Sequence, residues 1–164
     1  MRSETEVEHA LELFGDTIRR ICFVHLQKDA DVEDVFQNVF FKYAIHCSEF
    51  TSQEHEKAWL IRIALNECHS LKRRFFHQQV DLQDDFSMYG MAEQPKHPEV
   101  LYALMKLPRR YRDIIYLYYY EGYAFSEIAT MLDKKEATIA TWHRRAKQQL
   151  KEILGGDDFE ETIV

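Results

Sequence analysis

Apolar residues recur every three to four positions along most of this chain, and that period predicts helices. Over 4–27 the series is Val7, Leu11, Phe14, Ile18, Ile21 and Val24. Glu4, Glu6 and Glu8 open it, where the positive end of a helix dipole favours acids. Over 31–46, Val32, Val35, Phe36, Val39, Phe40 and Tyr43 make a wide apolar face, with Asp31 as the expected N-cap. Glu33, Asp34, Gln37, Asn38 and Lys42 fall on the other side, a pattern that fits either plain solvation or a docking face. Residues 47–53 read as a loop with an isolated Phe50. A third helix is predicted over 55–75, with Trp59, Leu60, Ile63, Ala64 and Leu71 turned partly inward. Arg62, Asn66, Lys72, Arg73 and Arg74 do not fit that stripe.

The period is lost over 76–98, which holds Gly90, Pro95 and Pro98 among Asp81, Asp84, Asp85 and Glu93. This reads as an acidic, flexible linker. A helix restarts over 99–107 and ends at Pro108. Another follows over 109–120 and stops near Gly122, with Ile114, Ile115, Leu117 and Tyr118 predicted to pack inward. Its run of tyrosines fits the core of a small helical unit better than a base-stacking surface. The fold class predicted is therefore all-α, with two small helical domains joined by the linker.

Residues 125–154 carry the most specific pattern. Phe125, Ile128, Ala129 and Leu132 share a face of a short helix. Asp133 breaks it, with Glu136 three residues on as an expected capping box. Ile139, Ala146, Leu150 and Leu154 form the seam of a longer helix. Its other side is basic and hydroxylated, with Thr138, Thr141, Arg144, Arg145, Lys147 and Lys151. A short helix, a turn and a longer basic helix make a helix-turn-helix, whose second helix suits a DNA major groove.

Charge sharpens this reading. The whole chain has a net charge of −7, which by itself argues against nucleic acid. Yet residues 57–74 hold five bases against Glu67, and residues 134–151 hold six against Glu136. Two basic patches thus sit on an acidic body, and such a protein needs a partner to hold it on DNA. No apolar run approaches the ~20 residues of a membrane span, and the first ten residues lack a signal core. A cytoplasmic protein is expected. Cys22, Cys47 and Cys68 are odd in number and far apart, so they read as buried or half-buried thiols rather than a disulfide frame or metal site. No phosphate loop, HExxH or nucleophile elbow occurs; no enzyme, metal or cofactor is indicated.

Four stretches occur in a telling order: 29–44 (DADVEDVFQNVFFKYA), 50–74 (FTSQEHEKAWLIRIALNECHSLKRR), 107–132 (LPRRYRDIIYLYYYEGYAFSEIATML) and 138–150 (TIATWHRRAKQQL). Together they resemble the extracytoplasmic-function (ECF) sigma factors of the sigma-70 family. The resemblance implies a region 2-like domain at 1–75, the linker at 76–98, a region 4-like domain at 99–154 and an acidic tail at 155–164. It implies core RNA polymerase and promoter DNA as partners, an anti-sigma factor as inhibitor, and no catalytic residues. Asp34, Gln37, Asn38 and Lys42 match the polymerase-docking face. Phe50, Trp59, Arg62, Asn66, Lys72, Arg73 and Arg74 match the −10 segment. There an amide suits base-edge hydrogen bonding and the cations suit phosphate. Lys135, Thr138, Ala140, Thr141, Arg144, Arg145 and Lys147 match the −35 recognition helix, in which arginine reads guanine.

Some positions depart from the family pattern. Ala140 and Trp142 stand where bases are usual, His143 where leucine is usual, Ala124 where a Ser cap is usual and Ala137 where Gly is usual. Spacing lets Trp142 join the core seam, whereas the family pattern gives that place to His143; both readings stand at this point. A stand-alone helix-turn-helix regulator and a sigma-like adaptor without initiation activity are the alternatives, distinguished by polymerase-independent DNA binding and by polymerase binding without promoter opening.

Overall fold

The computed structural model describes residues 1–74 and 96–156, with the side chains of all of these except 72–74. The chain divides into two compact units, Met1–Pro95 and Lys96–Val164. The expected linker and tail lie outside the described residues, apart from 96–98 and 155–156, and Pro98 already opens a helix.

The first unit is built from α1 (Glu4–Leu26), α2 (Asp29–Ile45) and α3 (Gln53–Arg74), each packed on the other two. Ser3 starts α1: its hydroxyl accepts from the Glu6 N–H at 3.2 Å, and the Glu6 carboxylate accepts from the Ser3 N–H at 2.8 Å. This reciprocal cap is worth about 1 kcal/mol. The backbone and hydroxyl of Ser3 hold the Glu6 carboxyl below its ordinary range. Gln27, left-handed at φ 68°, closes α1. The next helix begins at Asp29 with Lys28 as its N-cap, so Asp31 lies in the first turn and not at the cap. Both acids still meet the dipole there. Between α1 and α2, the Arg19 guanidinium lies 3.8 Å from the centroid of the Phe36 ring and donates to Glu33 at 2.8 Å, which lowers the Glu33 pKa.

In α3 the inward face is rotated from the predicted stripe. Leu60, Ile61, Ala64, Leu65 and Cys68 are buried, whereas Trp59, Ile63 and Leu71 are only half-buried. Helices on two sides bury a wider arc than one stripe, and that arc centres on Ile61 and Leu65. Cys22 and Cys68 are buried, but Cys47 is exposed, because it falls in the connection after α2 and not on a helix.

The second unit holds α4 (Pro98–Met105), α5 (Arg109–Ile115), a π-helical turn (Tyr116–Tyr120), α6 (Phe125–Leu132) and α7 (Glu136–Ile153). Both α5 and α6 pack on α7. Arg112, buried at 5% exposure, donates to the carbonyls of Leu104, Met105 and Leu107 at 3.2, 2.9 and 2.9 Å. It adds donors to the last carbonyls of α4 and to Leu107 in the connection, and thereby fixes the α4–α5 corner. The π turn shifts the register of the tyrosines: Tyr116 is fully buried, while Tyr118, predicted inward, is 37% exposed.

The expected Asp133–Glu136 box does not form. Asp133 is the left-handed closing residue of α6, at φ 54°, and the following Lys134 N–H bonds back to the Ala129 carbonyl at 2.9 Å. The N-cap of α7 is Lys135, with no side-chain cap. At the start of α6, Ala124 has no side-chain oxygen to accept from the free N–H groups of the first turn. The Glu127 carboxylate still accepts from the Ala124 N–H at 3.0 Å, so half of a capping box survives.

Candidate functional site

Four neighbourhoods follow from this fold, two in each unit. On α2, Asp34, Gln37 and Asn38 are exposed along one face. With Val35, Glu67, Ser70 and Leu71 they line a shallow groove between α2 and α3. Lys42 pairs with Glu67 across the same two helices, so this cation is engaged within the unit. Val32, Val35, Phe36, Val39, Phe40 and Tyr43 of α2 are buried in the core, while Phe41 and Ile45 are exposed along with the polar side.

The second neighbourhood joins the end of α2 to α3. Phe50 is not isolated. It lies half-buried, parallel to Tyr43 at 6.2 Å between centroids, beside His46 at 5.3 Å and tilted on Trp59 at 5.6 Å. The Arg2 guanidinium covers the Tyr43 and Phe50 rings at 4.6 and 4.8 Å and donates to the Ser48 carbonyl at 2.9 Å. Ser52 caps α3 through the His55 N–H, and the Thr51 N–H donates to the His55 ring nitrogen at 3.2 Å. The Tyr43 hydroxyl donates to Glu56. Burial, then that carboxylate, push the Tyr43 pKa up to about 12. The loop between α2 and α3 is thus pinned by rings and short bonds. Arg62 and Asn66 are exposed one turn apart on α3, close in sequence to the half-buried Trp59. Sequence reasoning missed Arg2, Tyr43, His46 and His55 as the support of this loop, since no helical spacing relates them. Lys72, Arg73 and Arg74 belong to α3, and their side chains lie outside the described ones.

The third neighbourhood is the outer face of α7. Lys135, Ala140, Arg144 and Arg145 are exposed, and Thr138, Thr141 and Lys147 are half-buried. The Thr141 hydroxyl donates to the Ala137 carbonyl at 3.1 Å, which leaves its oxygen able to accept. Among the described residues no acidic side chain pairs with Arg144 or Arg145.

The fourth neighbourhood seats that helix. His143 packs against Tyr118, Phe125 and Tyr119, with centroids 4.7, 4.9 and 5.6 Å away. Trp142 is half-buried on the side of α5, with the Arg110 guanidinium 5.5 Å from its ring centroid. The seam position therefore belongs to His143, and Trp142 lies at its edge.

Two helical units, the second a helix-turn-helix with an exposed basic recognition face, define a DNA-reading class of protein. Residues 11–75 match the family model described as Sigma-70 region 2, and residues 97–150 match that described as Sigma-70, region 4. The ECF RNA polymerase sigma factor SigM of Bacillus subtilis (strain 168) is 30% identical over 155 residues, covering 90% of this chain and 94% of SigM. SigW of the same organism is 23% identical over 161 residues, covering 88% of this chain and 86% of SigW. The chain belongs to the ECF sigma factors of the sigma-70 family. Two solved structures share its fold. The sigma factor RpoE in complex with the anti-sigma factor NepR from Bartonella quintana has a TM-score of 0.71 at 23% identity, covering 93% of this chain and 99% of RpoE. CnrH in complex with the cytosolic domain of CnrY has a TM-score of 0.67 at 22% identity, covering 95% of this chain and 92% of CnrH.

Proposed function

We propose that this sigma factor docks on core RNA polymerase through Asp34, Gln37 and Asn38 of α2, with Lys42 bracing the face through Glu67. Phe50, Trp59, Arg62 and Asn66 engage the −10 element, and Lys72, Arg73 and Arg74 continue that contact along phosphate. Lys135, Thr138, Ala140, Thr141, Arg144, Arg145 and Lys147 engage the −35 element. The division 1–75, 76–98, 99–154 and 155–164 assigns these tasks to a region 2-like domain, a linker, a region 4-like domain and a tail.

The observation that carries the reading is the outer face of α7. Its two arginines have no acidic partner among the described residues, while the inner face is locked by Ile139, His143 and Ala146. A helix fixed on one side with unneutralised guanidiniums on the other presents donors to guanine and phosphate without reorganising. The exposed amide of Asn66 on α3 suits a base taken out of the stack, since it offers both a donor and an acceptor.

Polymerase performs the chemistry and this protein contributes no catalytic group, acting in the cytoplasm, where polymerase resides. Among the described residues no helix is long and apolar enough to cross a membrane. An anti-sigma factor holds the protein inactive, a proposal supported by the solved structure of the same fold in which RpoE is bound to the anti-sigma factor NepR.

The test is transcription in vitro with core polymerase and a library of duplex and premelted promoters. Specific transcripts are expected. Asn66→Ala then alters −10 choice, and Arg144→Ala weakens −35-dependent initiation by a factor equivalent to about 1–3 kcal/mol. Absence of any complex with core polymerase would overturn the reading.

A further inference from the structure

The recognition helix does not carry all of the positive charge on its own edge. Thr138, Trp142 and Arg145 follow one another on α7 at i, i+4 and i+7, so they line one edge of the DNA-reading face. The middle position is an uncharged ring. Arg110, from the first turn of α5, is exposed and lies over that ring at 5.5 Å, within the reach of a cation–π contact. It also lies 5.0 Å from the Tyr111 ring. The guanidiniums of Arg110 and then of Arg145 lie close enough to the Tyr111 hydroxyl to hold that phenol below its ordinary pKa. Tyr111 itself is buried, so the ring beside which Arg110 lies is fixed in the core of the unit. No acidic side chain neutralises Arg110 among the described residues.

We propose that Arg110, laid on Trp142 and set beside Tyr111, is a DNA phosphate contact of the second unit: α5 supplies the cation that α7 lacks at its middle edge position. The assignment rests on the DNA-reading role of α7 proposed above. Trp142 is then a positioning residue. Its ring face attracts the guanidinium and restricts its rotamers, so the charge is presented at little further entropic cost. The ligand is the backbone of duplex DNA, and the contact adds affinity without base information.

The test uses holoenzyme assembled from the full chain and core polymerase, on a promoter that the wild-type protein fires. Promoter affinity is measured across a salt series for the wild type, Arg110→Ala, Arg110→Gln, Trp142→Leu and the double variant Arg110→Ala/Trp142→Arg. One lost phosphate contact flattens the slope of log affinity against log salt by about 0.9. The advantage of wild type over Arg110→Ala therefore shrinks roughly threefold between about 50 and 200 mM salt, the value that this slope implies. Arg110→Gln is expected to match Arg110→Ala, Trp142→Leu to fall between them and wild type, and Trp142→Arg to restore the slope in the Arg110→Ala background. An unchanged slope in Arg110→Ala overturns the proposal, whether affinity is kept or lost, because a structural defect weakens binding at every salt concentration alike. Failure of the wild type to fire any promoter is a separate outcome: it removes the DNA-reading role itself, and the phosphate contact with it.

Discussion

At the residue scale, Tyr43 and Ala124 show how single atoms set local stability. Tyr43 is buried, and its hydroxyl donates to Glu56, so the neutral phenol is favoured and the pKa rises to about 12. A raised pKa in the folded state stabilises the protein fully below the unfolded value, near 10 for tyrosine. That contribution is lost as pH climbs from roughly 10 toward 12. Absorbance titration should therefore show one tyrosine ionising late, absent in Tyr43→Phe. The unfolding midpoint of wild type should fall more steeply over this window than that of Tyr43→Phe. Ala124 poses the opposite case, a missing atom. A hydroxyl at 124 would complete the box whose other half is the Glu127 bond to the Ala124 N–H. Ala124→Ser should raise stability by about 1 kcal/mol in chemical denaturation followed by helix content.

At the scale of elements, connections govern placement more than the helices do. Arg112 closes three carbonyls of the α4–α5 corner from a buried position. Arg112→Met keeps the stem length but takes this donor from the Met105 and Leu107 carbonyls, while the Leu104 carbonyl keeps its bond from the Leu107 N–H, and should cost roughly 3 kcal/mol in denaturant unfolding. The same logic explains where sequence reading was exact and where it drifted. The period of Ile128 and Ala129, and of Ile139, Ala146 and Leu150, survives as buried faces because a repeating stripe must meet a repeating partner. Boundaries drifted. Asp31 and Asp133 both look like N-caps, yet Lys28 and Lys135 hold those positions. An acidic residue near a helix start gains from the dipole at several positions, so its type does not name its place. Tyr118 lies against Phe125 and His143 yet stays 37% exposed, because a π turn adds a residue to the ring of backbone bonds, which no side-chain spacing announces.

At the scale of the whole molecule, charge decides how the protein meets DNA. The net charge is −7, and bases concentrate at 57–74 and 134–151. Alone, the protein should bind duplex promoter DNA no more tightly than about 10⁻⁴–10⁻⁶ M near physiological salt, as read by fluorescence anisotropy. Addition of core polymerase should tighten promoter binding by orders of magnitude, because polymerase supplies contacts that the acidic surface forbids. Asp34→Lys should abolish that gain by placing a cation on the docking face.

The sequence by itself determined the helical class, the two basic segments, the recognition helix and the family, because each is written in spacing and residue type along a short stretch. Tertiary structure alone decided what meets across stretches. It turned an isolated Phe50 into part of a ring cluster with Arg2, gave the seam to His143 and the edge to Trp142, and brought Arg110 of α5 over that edge. Periodicity assigns a residue to a face of its own helix. It carries no information on which residue of another element stands opposite, since that depends on how rigid helices pack their side chains against one another.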